Sequence, residues 1–127
     1  MPFYSPPSRT RSVSYSWNAV DLAASTVFFT ADRAYNVKSM ISRVDVAGVD
    51  LGGVTALIRK VPSGTAVGSG TSLHSSGSIN LKGSANTNQA LSLTAGSTLA
   101  SGDSLAFSLT GVPTTAQGSV TVLIEEI

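Results

Sequence analysis

Residues 57–88 read LIRKVPSGTAVGSGTSLHSSGSINLKGSANTN, and they decide between helix and sheet. Leu57, Arg59 and Val61 alternate with Ile58 and Lys60, a period of two that predicts a strand. Pro62 ends it, because proline has no N–H to give to a ladder. Gly64, Gly68 and Gly70 follow, with small hydroxyl residues between them. Two short apolar pieces come next, around Leu73 and over residues 79–81, then a polar run over 82–88. Nothing here carries the apolar repeat of 3.6 that a helix buries. The stretch predicts a sheet edge followed by a long connection.

The same period continues on either side. Val13, Tyr15 and Trp17 alternate with Ser12, Ser14 and Ser16, which predicts a half-buried strand. Residues 18–25 have room for one helical turn, with Asn18 as its cap. Residues 26–30, TVFFT, are β-branched and aromatic and predict a buried strand. Residues 34–47 place Tyr35, Val37 and Ile41 in one phase and Val44 and Val46 in another. The break between Ile41 and Val44 predicts a β-bulge or a change of sheet. Residues 48–53 form a turn, and 54–61 are expected to pair back as a hairpin. Leu91 and Leu93 share a face, and Leu99 is tucked into the connection over 95–103. Leu105, Phe107 and Leu109, then Val120, Val122 and Ile124, give two clean alternating faces.

About eight short strands at spacings of roughly 8–15 residues, with no alternating helices, predict an all-β fold. The expected architecture is an antiparallel jelly-roll β-sandwich with an extended N-terminal arm. Residues 1–17 comprise the arm and first strand, and 18–127 the sandwich domain. Pro2, Pro6 and Pro7 favour extended backbone in the arm, and Arg9 and Arg11 make it locally basic.

The chain has 127 residues and no cysteine, which excludes disulfides and thiolate metal sites. A net charge of +1 gives no general attraction to nucleic acid or acidic membranes. No apolar run approaches the ~18 residues a membrane helix needs. The N-terminus, MPFYSPPSRTR, lacks the apolar centre of a signal peptide. Charged residues are 12% of the chain, about half the ~25% of an ordinary soluble domain. Weak repulsion between copies favours association with itself or with a larger assembly.

No catalytic, cofactor or metal constellation is expected. His74 is the single histidine and reads as a partly exposed strand-end residue, since a base needs an orienting partner and zinc needs several ligands. Asp32, Asp50 and Asp103 sit at turns, where carboxylates accept backbone N–H bonds. Glu125 and Glu126 point to opposite faces of a strand end. GTAVGSG at 64–70 lacks the Gly-Lys-Ser/Thr and helix of a phosphate loop. Arg59, Lys60 and Lys82 are too few for a nucleic-acid surface. Tyr4, Tyr15, Trp17 and Tyr35 can stack on sugars, though three of them fit strand or core positions as well.

VPSGTAVGSGTSL (61–73), SINLKGSANTNQALSL (78–93), LASGDSLAFSLTG (99–111) and VTVLIEE (120–126) together resemble small tailed-bacteriophage virion proteins. That group includes head decoration, or cement, proteins with jelly-roll folds. The likeness covers roughly residues 30–127 and leaves out the arm. It implies a homotrimer on the outer surface of the capsid, bound to the major capsid protein and stabilising the head. It implies no cofactor. Phe3, Tyr4, Pro6, Pro7, Arg9 and Arg11 are then the expected capsid-contact residues. The alternative is a tail-associated or carbohydrate-binding β-domain for host-surface recognition.

Overall fold

The computed structural model describes residues 9–18, 25–49, 53–74, 79–94, 97–111 and 115–127. Ten strand segments run through them: β1 (Thr10–Asn18), β2 (Ser25–Thr30), β3 (Tyr35–Val46), β4 (Thr55–Val61), β5 (Thr71–Ser72), β6 (Ile79–Asn80), β7 (Thr87–Leu91), β8 (Thr98–Leu99), β9 (Ser104–Thr110) and β10 (Gln117–Glu126). One sheet has the order β1-β10-β3-β7, with β8 also on β3, and the other β2-β9-β4-β5, with β6 also on β4. The short pairs β5/β6 and β7/β8 each share one edge, so the ten segments fill eight strand positions. In chain order the sheets are then 1-8-3-6 and 2-7-4-5. Only the fourth and fifth positions are neighbours in one sheet, and every other link crosses between sheets. This is an antiparallel jelly-roll sandwich.

The two clean alternating faces hold its middle. β10 lies between β1 and β3, and β9 between β2 and β4. Val120, Val122 and Ile124 of β10 and Leu105 and Phe107 of β9 are all fully buried. Each contributes roughly 1.5–3 kcal/mol through burial. Leu99 and Leu105, on either side of the Gly102–Asp103 turn, are both in the core, and Gly102 takes the positive φ of 91° that a tight turn demands.

Three expectations change. The break in β3 lies earlier than the pattern implied. Leu123 pairs with Ser39 while Ile124 pairs with Val37, so Lys38 bulges out. This keeps the lysine in water and resets the phase: Met40, Ser42 and Val44 face inward, and Ile41 is 46% exposed. A second shift, between Gln117 and Gly118, leaves Asp45 outside the register. The strand over 54–61 does not return to β3, whose two sides are taken by β10 and by β7 with β8. It crosses to the opposite sheet, with Val54, Ala56 and Ile58 inward and Leu57 on the other face. β2 is an edge strand rather than a buried one, and its Val27 is 45% exposed. Residues 19–24, where a helical turn was expected, and Asp50 lie outside the described residues, while Asn18 closes β1.

Aromatic rings join the two sheets. Trp17 stacks on Phe107 with centroids 5.1 Å apart, Tyr15 lies 5.0 Å from Phe107, and Tyr15 stacks on Phe28 at 5.4 Å. Phe29 meets Tyr35 edge-on at 6.0 Å. Such pairs add about 0.5–1.5 kcal/mol beyond area burial. Trp17 lies over Gly118, its partner across the ladder. A Cβ at 118 would lie 2.5 Å from Cζ2 of Trp17 and collide with the Arg43 carbonyl oxygen. The indole occupies the space that any other residue would need. Gly118→Ala is therefore expected to lower the melting temperature by about 5 °C or more, the effect of one to two kcal/mol of overpacking. A wild-type melting curve for this variant contradicts that packing.

Candidate functional site

Two of the expected contact residues, Arg9 and Arg11, lie among the described residues, and they converge with others on one corner. Phe3, Tyr4, Pro6 and Pro7 lie outside the described residues. Arg9 is held to the end of β10: its carbonyl accepts the Glu126 N–H at 3.1 Å, and its Nε stands 3.5 Å from Glu126 Oε2. Arg11 is on β1, with its guanidinium 5.2 Å from the Phe29 ring centroid. The basic arm therefore does not extend to residue 11 as a detached piece, because ladder pairing begins at Thr10.

The turn before β3 completes the corner. Arg33 Nη1 donates to Glu126 Oε1 at 2.5 Å and Arg33 Nε to Asp32 Oδ2 at 3.3 Å. Tyr35 donates its hydroxyl to Asp32 Oδ1 at 2.5 Å. Antiparallel pairing makes this possible, since Glu126 stands opposite Tyr35 and next to Arg9 in the ladder. A cleft of about 190 Å³ lies between these side chains. The Tyr35 hydroxyl, more than the neighbouring guanidinium, holds the Asp32 carboxyl below its usual value of 3.8. The same bond raises Tyr35 above 10.0, and Glu126 raises Arg33 further. Every acid here is engaged by a donor, so the corner ties β1, β3 and β10 together and leaves a cationic margin at Arg9 and Arg11.

His74 is a correction. It is 3% exposed, not a partly exposed strand end, and forms a bridge with Leu93. Its Nε2 accepts the Ile58 backbone N–H at 3.1 Å, so the imidazole serves as a structural acceptor in the gap between β5 and β6 along one side of β4. Among the described residues, no three His, Asp or Glu side chains gather to hold a metal. Asp103 does what its turn position predicts, with Oδ2 accepting the Ala100 N–H at 2.9 Å. Asp32 is held mainly by side chains, Tyr35 and Arg33.

The Gly-rich stretch is a strap on the sandwich. A single 3₁₀ turn, Val67–Ser69, packs against β2, β4 and β9. Ala106 faces away from the core, between Leu105 and Phe107, yet is fully buried beneath this cover. Arg59 Nη1 donates to the Gly70 carbonyl at 2.7 Å and anchors it. Gly70 allows the approach, since a Cβ there would sit 2.8 Å from the Lys60 carbonyl oxygen and 2.9 Å from Val61 Cγ2.

The aromatics weighed for sugar stacking are committed elsewhere. Trp17 and Tyr35 are buried and Tyr15 packs on two phenylalanines, while Tyr4 lies outside the described residues. A cleft that the sequence did not single out lies beside β7, with Val44 and Gly83 among its lining residues. Its volume is about 330 Å³, and Ser42, Asn80, Ser84, Thr87, Asn88 and Gln89 line it with neutral groups.

No family model matches this chain, and no curated protein matches it. Two solved structures are similar in shape. One belongs to work on Bacillus endospore appendages, described as a novel family of disulfide-linked pili. It is 16% identical, over 99% of this chain and 95% of that one, with a TM-score of 0.49. The other is from the infectious bursal disease virus Gt strain, 13% identical over 95% of this chain and 34% of that one, with a TM-score of 0.35. The chain thus spans about a third of the viral chain's length. Resemblance at this level carries no function across.

The charged corner has a definite pH signature. Asp32 has a lowered folded-state value, so its contribution is complete above about pH 3.8 and is lost as pH falls through that lower value. Asp32→Asn is expected to melt below the wild type at pH 6, with the difference shrinking as pH is taken toward 2. Thermal melts across that range check it, and a difference constant with pH contradicts the assignment.

Proposed function

We propose that this chain is a structural virion protein, a decoration protein that binds the major capsid protein on the outer surface of a bacteriophage head and stabilises it. The observation that carries this reading is the outer face of the β1-β10-β3-β7 sheet. Its rows are Ser12–Leu123–Ser39, Ser14–Thr121–Ile41–Ala90 and Ser16–Ser119–Arg43–Asn88. Arg43 is the one charge in these rows, and its Nε donates to Asp45 at 2.9 Å. Ile41 stands exposed near the middle. A face made mostly of small neutral side chains costs little to desolvate and can lie close against another protein. The low charge of the whole chain and its resemblance in wording to small phage virion proteins support the same reading. Binding the assembled shell but not its separated subunits would stabilise the shell by mass action, and many symmetric copies would add avidity.

Phe3, Tyr4, Pro6, Pro7, Arg9 and Arg11 are the proposed capsid contacts beside this face. A deletion that tests the arm stops at residue 8, because Arg9 already bonds β10. Ile41→Asp, on the exposed face, is expected to keep the wild-type melting temperature within about 2 °C. It should lower occupancy on purified heads about tenfold or more, as read by co-sedimentation. Unchanged occupancy sinks this face as the contact. One observation favours a second reading, host-glycan binding: the neutral amide and hydroxyl lining of the cleft beside β7. Gln89→Ala with wild-type retention on a host-polysaccharide column would remove it.

A further inference from the structure

We propose that β1 is a self-pairing edge, through which two copies of this chain join about a two-fold axis at Ser14. The inference goes beyond head decoration, does not depend on it, and sets a two-fold pair in place of the homotrimer that the resemblance implies. A sheet edge offers unpaired N–H and C=O groups to any strand that reaches it, and proteins normally blunt such edges with short strands, bulges, proline or lysine. Three of the four edges here are blunted. β5, β6 and β8 are two residues long and β7 has five. β2 has a register shift between Val27 and Phe29. β1 has none of these devices. It runs for nine residues in unbroken one-to-one register, from Thr10 opposite Glu125 to Asn18 opposite Gln117. It contains no proline and no lysine, and its one charge, Arg11, is folded over Phe29.

The direction of the free groups follows from one bond. The Arg9 carbonyl accepts the Glu126 N–H, so residues 9, 11, 13, 15 and 17 face β10. The N–H and C=O groups of Ser12, Ser14 and Ser16 then point away from it, and among the described residues no strand pairs with that edge. An antiparallel copy centred on Ser14 gives the fullest overlap of Thr10–Asn18 with itself. It sets Ser14 opposite Ser14 and Ser12 opposite Ser16, each pair exchanging both ladder bonds. The hydroxyl rows also match, as Ser14 and Thr121 already do at 3.3 Å within one chain. No like charges meet, since the two Arg11 side chains end up about 20 Å apart, six residues along the strand. The partner this edge fits is therefore a second copy of itself. The seam is about 30 Å long and two sheets thick, roughly 600 Å² per partner, just under the ~800 Å² of a standard interface. A concentration-dependent dimer is the result.

The full chain, measured by light scattering after size exclusion, is expected to move from 12.9 kDa toward twice that mass as concentration rises. Ser14→Pro removes an outward N–H and leaves the β1–β10 ladder intact, so it should stay at the monomer mass with its β-sheet circular dichroism retained. Ser14→Ala should still dimerise. A second variant does not depend on tolerating proline. The chain has no cysteine, so Ser14→Cys should join to its copy with a short bismaleimide, and Ser39→Cys on the same face but away from the axis should not. A monomer at every concentration overturns the proposal. So does a dimer or trimer unaffected by Ser14→Pro, a trimer that Ser14→Pro dissociates, or equal cross-linking of the two cysteine variants.

Discussion

The sandwich depends on the indole of Trp17 lying against Phe107 over a residue without a side chain. Trp17 belongs to an outermost strand of one sheet and Phe107 to an inner strand of the other. Their stack therefore fixes both the spacing of the sheets and the position of β1. Gly118 makes the contact possible, since the ring fills the volume a Cβ would take. Truncating either ring would cost roughly 3–5 kcal/mol, a large part of a total stability that is typically 5–15 kcal/mol. Once β1 is seated, Tyr15 falls onto Phe28 and Phe107, and the carbonyl of Arg9 reaches Glu126.

Charge is distributed to match. The chain has eight basic and seven acidic residues, and five of these fifteen, Arg9, Arg11, Asp32, Arg33 and Glu126, meet at one corner. Concentrating them there leaves the three middle rows of the β1-β10-β3-β7 face mostly to serine, threonine and alanine, with Leu123, Ile41 and Asn88 among them and Arg43 as their one charge. That face has little desolvation cost and little repulsion to keep copies or partners away. The same economy explains the long strap over β9: with Arg59 tied to Gly70, backbone covers a sheet surface that most proteins would cover with lysine and glutamate.

Much of the architecture was legible because it rests on a local period. Leu105, Phe107, Val120, Val122 and Ile124 alternate without interruption, and all are fully buried. The Gly102–Asp103 turn was legible for the same reason, since its residues bond one another within four positions. What depended on distant partners was not. The bulge at Lys38 is set by pairing with Leu123 and Ile124, and it sent Ile41 outward against its apparent phase. His74 looked polar and exposed, but the Ile58 N–H needed an acceptor, and that need is visible only once β4 has its neighbours. The charged corner joins residues 9, 32, 33, 35 and 126, and its one local hint was the spacing of Asp32, Arg33 and Tyr35 in a turn.

The first strand is where composition and packing give different answers. Proline and arginine near the N-terminus suggest an arm free of the domain, while Val13, Tyr15 and Trp17 suggest a seated strand. Amide hydrogen exchange in dilute solution, read residue by residue, separates the two. The packing account predicts that the amides of Val13, Tyr15 and Trp17 are protected to about the same degree as those of Val120 and Val122. Exchange of Val13, Tyr15 and Trp17 at the rate of an unstructured peptide, with Val120 and Val122 still protected, would contradict it.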